Sequence, residues 1–257
     1  MVSRRHTIPP RLTSLRAVAT FHAGMPRRPP ASAPPEAATS AAPFVPPHPT
    51  LTTLREAAAR CRGCHLWERA TQTVFGEGGR GADLVFVGEQ PGDREDLEGH
   101  PFVGPAGRLL ESAIAEAGLD RRRVYLTNAV KHFKWEPRGK RRIHQKPDAA
   151  EVSACHPWLE AELAVIQPLA VVCLGATAAQ ALLGRGFKVT QHRGEVVPAS
   201  FAPLVMGTVH PSSILRSTDD EARRTERARF VEDLRALKRA LEGAVGGTRQ
   251  GASAPPG

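Results

Sequence analysis

Three apolar runs along this chain each end on a short polar motif, and that repeated pattern constrains the fold more than any other feature. Leu84-Val85-Phe86-Val87 runs into Gly88-Glu89-Gln90-Pro91-Gly92-Asp93, Val124-Tyr125-Leu126 into Thr127-Asn128, and Leu204-Val205-Met206-Gly207-Thr208-Val209 into His210-Pro211-Ser212. Apolar runs separated by helical patterns read as buried parallel strands joined by crossovers. In an open parallel sheet the ligand crevice lies beyond the carboxyl ends of the strands, so Glu89, Asn128 and His210 are expected to converge.

The segments between these runs complete the pattern. Leu109, Leu110, Ile114 and Ala117 recur at helical spacing, as do Val152, Leu159, Leu163 and Ile166 after the capping signature Asp148/Glu151. A further strand at Ala170–Leu174, a turn at Gly175, a short helix and a C-terminal amphipathic helix through Phe230, Leu234, Leu237 and Leu241 follow. The alternation predicts an α/β fold, a three-layer αβα sandwich around a central, mostly parallel four-stranded sheet. Lys131–Pro147 fits neither periodicity, and a connection of that length inside a domain is usually functional or mobile.

Composition sets the boundaries. The first fifty residues hold 11 of the 23 prolines, six arginines and a single acidic residue, Glu36, a mixture that cannot bury enough surface to offset its ordering entropy. Residues 1–50 are therefore expected to be a disordered tail, 51–244 one domain, and 245–257 a second disordered tail. Of the net charge of +9, the first fifty residues supply +5 and Arg249 another +1, leaving about +3 on the domain. That balance suits a local basic face better than a uniformly basic surface. No apolar run reaches the length of a membrane span, so no membrane partner is expected.

Cys61, Cys64, Cys155 and Cys173 form a C-x2-C pair and a later pair separated by 17 residues. One tetrathiolate site would account for all of them and fits an iron-sulfur cluster or a structural zinc; two disulfides are the alternative.

The cysteine spacing, Gly88-Glu89-x-Pro91-Gly92, Pro101-Phe102-Val103-Gly104, Thr127-Asn128 and His210-Pro211-Ser212 together resemble the iron-sulfur uracil-DNA glycosylases of family four. Position 90 is Gln where those enzymes usually have Ala, and a basic loop, Gly139-Lys140-Arg141-Arg142-Ile143-His144, comes after the Asn128 strand. Both features resemble the UdgX branch, which becomes covalently joined to uracil-containing DNA. The resemblance implies a [4Fe-4S] cluster on the four cysteines, uracil read by Asn128 and stacked on Phe102, and a catalytic set of Glu89, His210 and His144. In that reading His144 attacks C1′ of the sugar in a single turnover. Gln90 and Asp93 are expected to support the uracil pocket, and Lys140, Arg141, Arg142 and Ser212 to contact DNA. A solvated basic loop is the plainer reading of the three cations. Uracil-containing DNA, single-stranded by preference, is the implied partner of a monomeric, cytoplasmic protein. Ordinary multiple-turnover uracil excision by Glu89-activated water is the second reading. A non-catalytic DNA binder or a nucleoside hydrolase would not need both a base-edge reader and a basic loop.

Overall fold

The computed structural model describes residues 40–250, with side chains through Ala244. Residues 1–39, most of the predicted first tail, and 251–257 lie outside the described residues. The domain begins earlier than residue 51. Ala41 is fully buried, its N–H donates to the Ala154 carbonyl at 2.7 Å, and a Cβ on Gly63 would lie 2.7 Å from its backbone nitrogen. One small side chain plugging a glycine notch orders a segment whose composition reads as tail.

Helix α1 (Leu51–Ala58) is closed by a reciprocal Thr50/Thr53 capping box. Strand β1 (Leu84–Gly88) leads to helices α2 (Asp93–Glu98) and α3 (Pro105–Glu116), and then to β2 (Val124–Asn128). The stretch that fits neither periodicity contains an antiparallel hairpin, β3 (Trp135–Arg138) and β4 (Arg141–His144), turning at Gly139 with φ +61°. Four-residue strands carrying Arg, Glu and Pro leave no apolar alternation to read. Helix α4 (Ala149–Ile166) starts at the expected Asp148/Glu151 box and continues through Pro157. Strand β5 (Ala170–Leu174), helices α5 (Ala176–Leu183) and α6 (Val189–His192), strands β6 (Val196–Ala199) and β7 (Ala202–Thr208), helix α7 (Pro211–Leu215) and helix α8 (Asp220–Gln250) complete the chain. Helix α8 runs past residue 244, where the second tail was expected to begin.

The central sheet has five strands in the order β2-β1-β5-β7-β6, not four. Its first four strands are parallel; β6 is antiparallel to β7 and carries a register irregularity between Val197 and Ala199. Pro198 is tolerated there because an edge strand needs no second ladder partner, and its short, half-exposed sequence gave no strand signal. Alternation along the strands divides the core. Leu84, Phe86, Leu126, Val172 and Met206 pack with α3, α7 and α8, while Val85, Val87, Tyr125, Val171 and Val205 pack with α4 and α5. The strands β1, β2, β5 and β7 therefore end together, and the segments leaving their carboxyl ends share one crevice.

Candidate active site

Gly88 closes β1 and forms the floor. A Cβ there would fall 2.3 Å from Asn128 Oδ1 and 2.8 Å from Phe102 Cζ, so only glycine lets the amide and the ring sit side by side. Asn128 is buried at the end of β2. Phe102 holds φ +58°, and the backbone turn that aims it requires Gly107, where a Cβ would lie 1.6 Å from the Phe102 carbonyl oxygen.

His210 caps α7, its ring stacked near Phe102 at a centroid distance of 6.3 Å and 25° between planes. The Ser212 N–H donates to its Nδ1 at 3.1 Å, so Nδ1 is an acceptor and the neutral ring carries its proton on Nε2. Burial pushes the imidazole down to about 4, helped by the charges of Arg216 and His144. The ring is thus a neutral N–H donor.

Glu89 comes directly after Gly88. Its Oε2 accepts a short hydrogen bond from the Thr177 hydroxyl, on the first turn of α5, and its Oε1 lies 3.5 Å from His144 Nε2. Gly175, at φ +86°, makes the strand-to-helix turn that carries Thr177 here, with His210 Cβ 3.2 Å from where its own Cβ would stand. Glu89, Asn128, Phe102, His144 and His210 are therefore brought together.

Four other predicted contacts are corrected. The Gln90 amide is fully occupied by the hairpin, accepting from Lys134 N at 3.0 Å and donating to the Gln145 carbonyl at 2.9 Å. Asp93 accepts from Arg142 Nε at 2.6 Å, so neither Gln90 nor Asp93 offers its side chain to a pocket ligand. Arg142 is not a free cation: it also pairs with the buried Asp96 at 2.5 Å, donates to Thr71, and packs against Trp135 and Phe133. Ser212 holds His210, and its hydroxyl accepts from Arg216 Nη1 at 3.0 Å. By contrast Lys140 and Arg141, at the exposed hairpin turn, have no carboxylate partner among the described residues.

The four cysteines do not form one set. Charges on Cys61 and Cys64 act on Cys155, and each of the buried sulfurs receives protein donors: Trp158 Nε1 and Gly63 N reach Cys61 at 3.2 and 3.4 Å, and Lys131 N reaches Cys155 at 3.2 Å. Burial pushes the Cys155 thiol up to about 12, with the Lys131 charge opposing it. Cys173 sits inside β5, among the residues packed against α4 and α5, and burial alone pushes it up to about 12. It is a packed apolar thiol, and the tetrathiolate reading fails because strand alternation turns it into the core. No preformed metal-binding group of three or more His, Cys, Asp or Glu side chains is present among the described residues. The N–H donors aimed at sulfur nevertheless suit Cys61, Cys64 and Cys155 to a sulfur-ligated metal group.

Sequence reasoning missed Thr177, Asp96 and a buried pair beneath the reader. Lys131 Nζ, fully buried, donates to Glu162 at 2.5 Å, to Thr127 Oγ1 at 2.7 Å and to the Asn128 carbonyl at 2.8 Å. Glu162 in turn accepts from Tyr125 OH and Gly76 N. Only the Thr177 position had a local signal, the Gly175 turn after a strand. A separate groove of about 800 Å³, bordered by Leu163, Gln167, Phe201 and Pro203, shares no residue with this site.

An α/β sheet whose strand ends bring a carboxylate, an amide, an aromatic face and a neutral imidazole around one floor glycine defines the class. The chain belongs to the uracil DNA glycosylase superfamily, whose pattern matches residues 75–235. A Type-4 uracil-DNA glycosylase of Thermotoga maritima is 38% identical over 184 residues, spanning 71% of this chain and 90% of that protein. A Type-4 enzyme of Saccharolobus solfataricus is 33% identical over 199 residues (74% and 86%), and a Type-5 uracil-DNA glycosylase of Thermus thermophilus 30% over 197 (69% and 83%).

Proposed function

We propose that this protein excises uracil from DNA, as the names of its Type-4 relatives indicate for them. The observation that carries the reading is the placement of Glu89 and of the Nε2–H of His210 around the Gly88, Asn128 and Phe102 floor. An extruded uracil stacks on Phe102 and presents its base edge to the donor and acceptor of Asn128, a pattern reversed on cytosine. As the glycosidic bond breaks, its electron pair leaves with the base, and His210 Nε2–H hydrogen-bonds the anion at O2. Glu89, fixed by Thr177, orients a water onto C1′ and takes its proton. Multiple-turnover release of uracil from a uracil-containing oligonucleotide, lost in Glu89→Gln and His210→Ala, is the expected result. Failure of the wild type to release uracil refutes the reading.

The His144–Glu89 approach of 3.5 Å favours a second outcome at the same site. With the Nε2–H directed at Glu89, the other ring nitrogen of His144 has the lone pair. It can bond C1′ in place of water while Glu89 accepts the ring proton and uracil leaves with the glycosidic pair. That reading expects a stoichiometric protein-DNA adduct that survives boiling in detergent and vanishes in His144→Ala. Repeated turnover by the wild type without adduct rejects it.

The reading extends to a monomeric, cytoplasmic protein that prefers single-stranded substrate and carries an iron-sulfur cluster on Cys61, Cys64 and Cys155. The cluster would tie the end of α1 to α4. No helix among the described residues is long and apolar enough to cross a membrane.

A further inference from the structure

Most of the charge near the pocket is already neutralised: Arg142 is paired with Asp93 and Asp96, and Lys134 with Glu151. Arg216, one residue beyond α7, is different. It is exposed, no carboxylate pairs with it among the described residues, and its single side-chain hydrogen bond, Nη1 to Ser212 Oγ, ties it to the residue that holds His210. A guanidinium has five N–H donors in a rigid fork, so most of the fork remains open toward solvent at the rim of the pocket. A base cannot reach His210 and Asn128 unless its own sugar and flanking phosphates lie against that rim. A tethered, unpaired guanidinium matches a phosphate in charge and in bidentate geometry.

We propose that Arg216 binds a backbone phosphate flanking the extruded nucleotide, making the Ser212-Arg216 pair the link between DNA engagement and the orientation of His210. The proposal rests on the excision reading above. One substitution separates it from a purely structural tether. Arg216→Gln keeps a donor for Ser212 Oγ, so a tether alone would survive that change; a phosphate contact would not.

The test measures binding of full-length protein to a single-stranded oligonucleotide carrying 2′-fluoro-2′-deoxyuridine, whose glycosidic bond resists cleavage. In two further oligonucleotides one flanking phosphate or the other is a neutral methylphosphonate. Wild type is expected to lose about tenfold in affinity at one of the two positions, and Arg216→Gln to lose about tenfold on the unmodified strand with no further loss at that position. The slope of log affinity against log salt should flatten by about 0.7, with inhibition by free uracil unchanged. Arg216→Lys should recover part of the loss. Wild-type affinity in Arg216→Gln, or a methylphosphonate penalty that persists in that variant, overturns the proposal. If the same coupling appears equally with thymine in place of uracil, the phosphate contact stands and the excision reading falls.

Discussion

At the scale of single residues, the site depends on glycines that admit functional side chains and on hydrogen bonds that fix protonation. Gly88→Ala is expected to displace Asn128 and lower uracil release about 100-fold, because a shift of about 1 Å in a positioning group costs that much; steady-state kinetics with a melting curve checks it. His210 has its pKa near 4 against an ordinary value of about 6.5. The unfolded chain therefore binds a proton that the native ring refuses between those values. The contribution is complete above about pH 6.5 and is lost as pH falls toward 4. Urea midpoints measured at pH 7 and 4.5 should fall accordingly, and ¹⁵N shifts should show the neutral Nε2–H tautomer at pH 5.5. Cys173→Ala should leave iron and zinc content unchanged while Cys61→Ser and Cys155→Ser reduce it, read by metal analysis. Equal loss in all three would restore the tetrathiolate set. The motif residues were legible because a polar residue straight after an apolar run can only sit at a strand end. Thr177 was not, because its partner Glu89 lies 88 positions away.

At the scale of elements, the β3–β4 hairpin and the α4 helix act as fixed mounts. The hairpin is pinned at both ends, by Gln90 near its base and by Arg142 on Asp93 and Asp96. Arg142→Met leaves the buried Asp96 carboxylate without its counter-ion, and loss of one member of such a pair costs about 3–5 kcal/mol. Hydrogen exchange should show the hairpin amides losing protection in that variant, with any His144 adduct yield falling in parallel. Lys131→Met unpairs Glu162 directly beneath Asn128 in the same way, so kcat/KM is expected to drop together with the melting temperature. The capping box of α4 and the parallel strands could be read from spacing alone. The hairpin and the edge strand β6 could not, since short exposed strands carry neither apolar alternation nor strong propensity.

At the scale of the whole molecule, the domain boundary is a packing event. A chain starting at Leu51 lacks the buried Ala41, its hydrogen bond to Ala154 and the Thr50 cap, and should be about 2–3 kcal/mol less stable than one starting at Ser40, by denaturant titration. By itself the sequence determined the α/β class, the order of the buried strands and the convergence of Glu89, Asn128 and His210, because burial imposes apolar runs and chain continuity fixes the position of the polar residues at their ends. Only the tertiary structure decided which charges are free, which cysteines share a neighbourhood and how many strands the sheet has. Those outcomes depend on contacts between residues tens of positions apart, and residue type alone does not distinguish a paired arginine from an open one or a core thiol from a ligand.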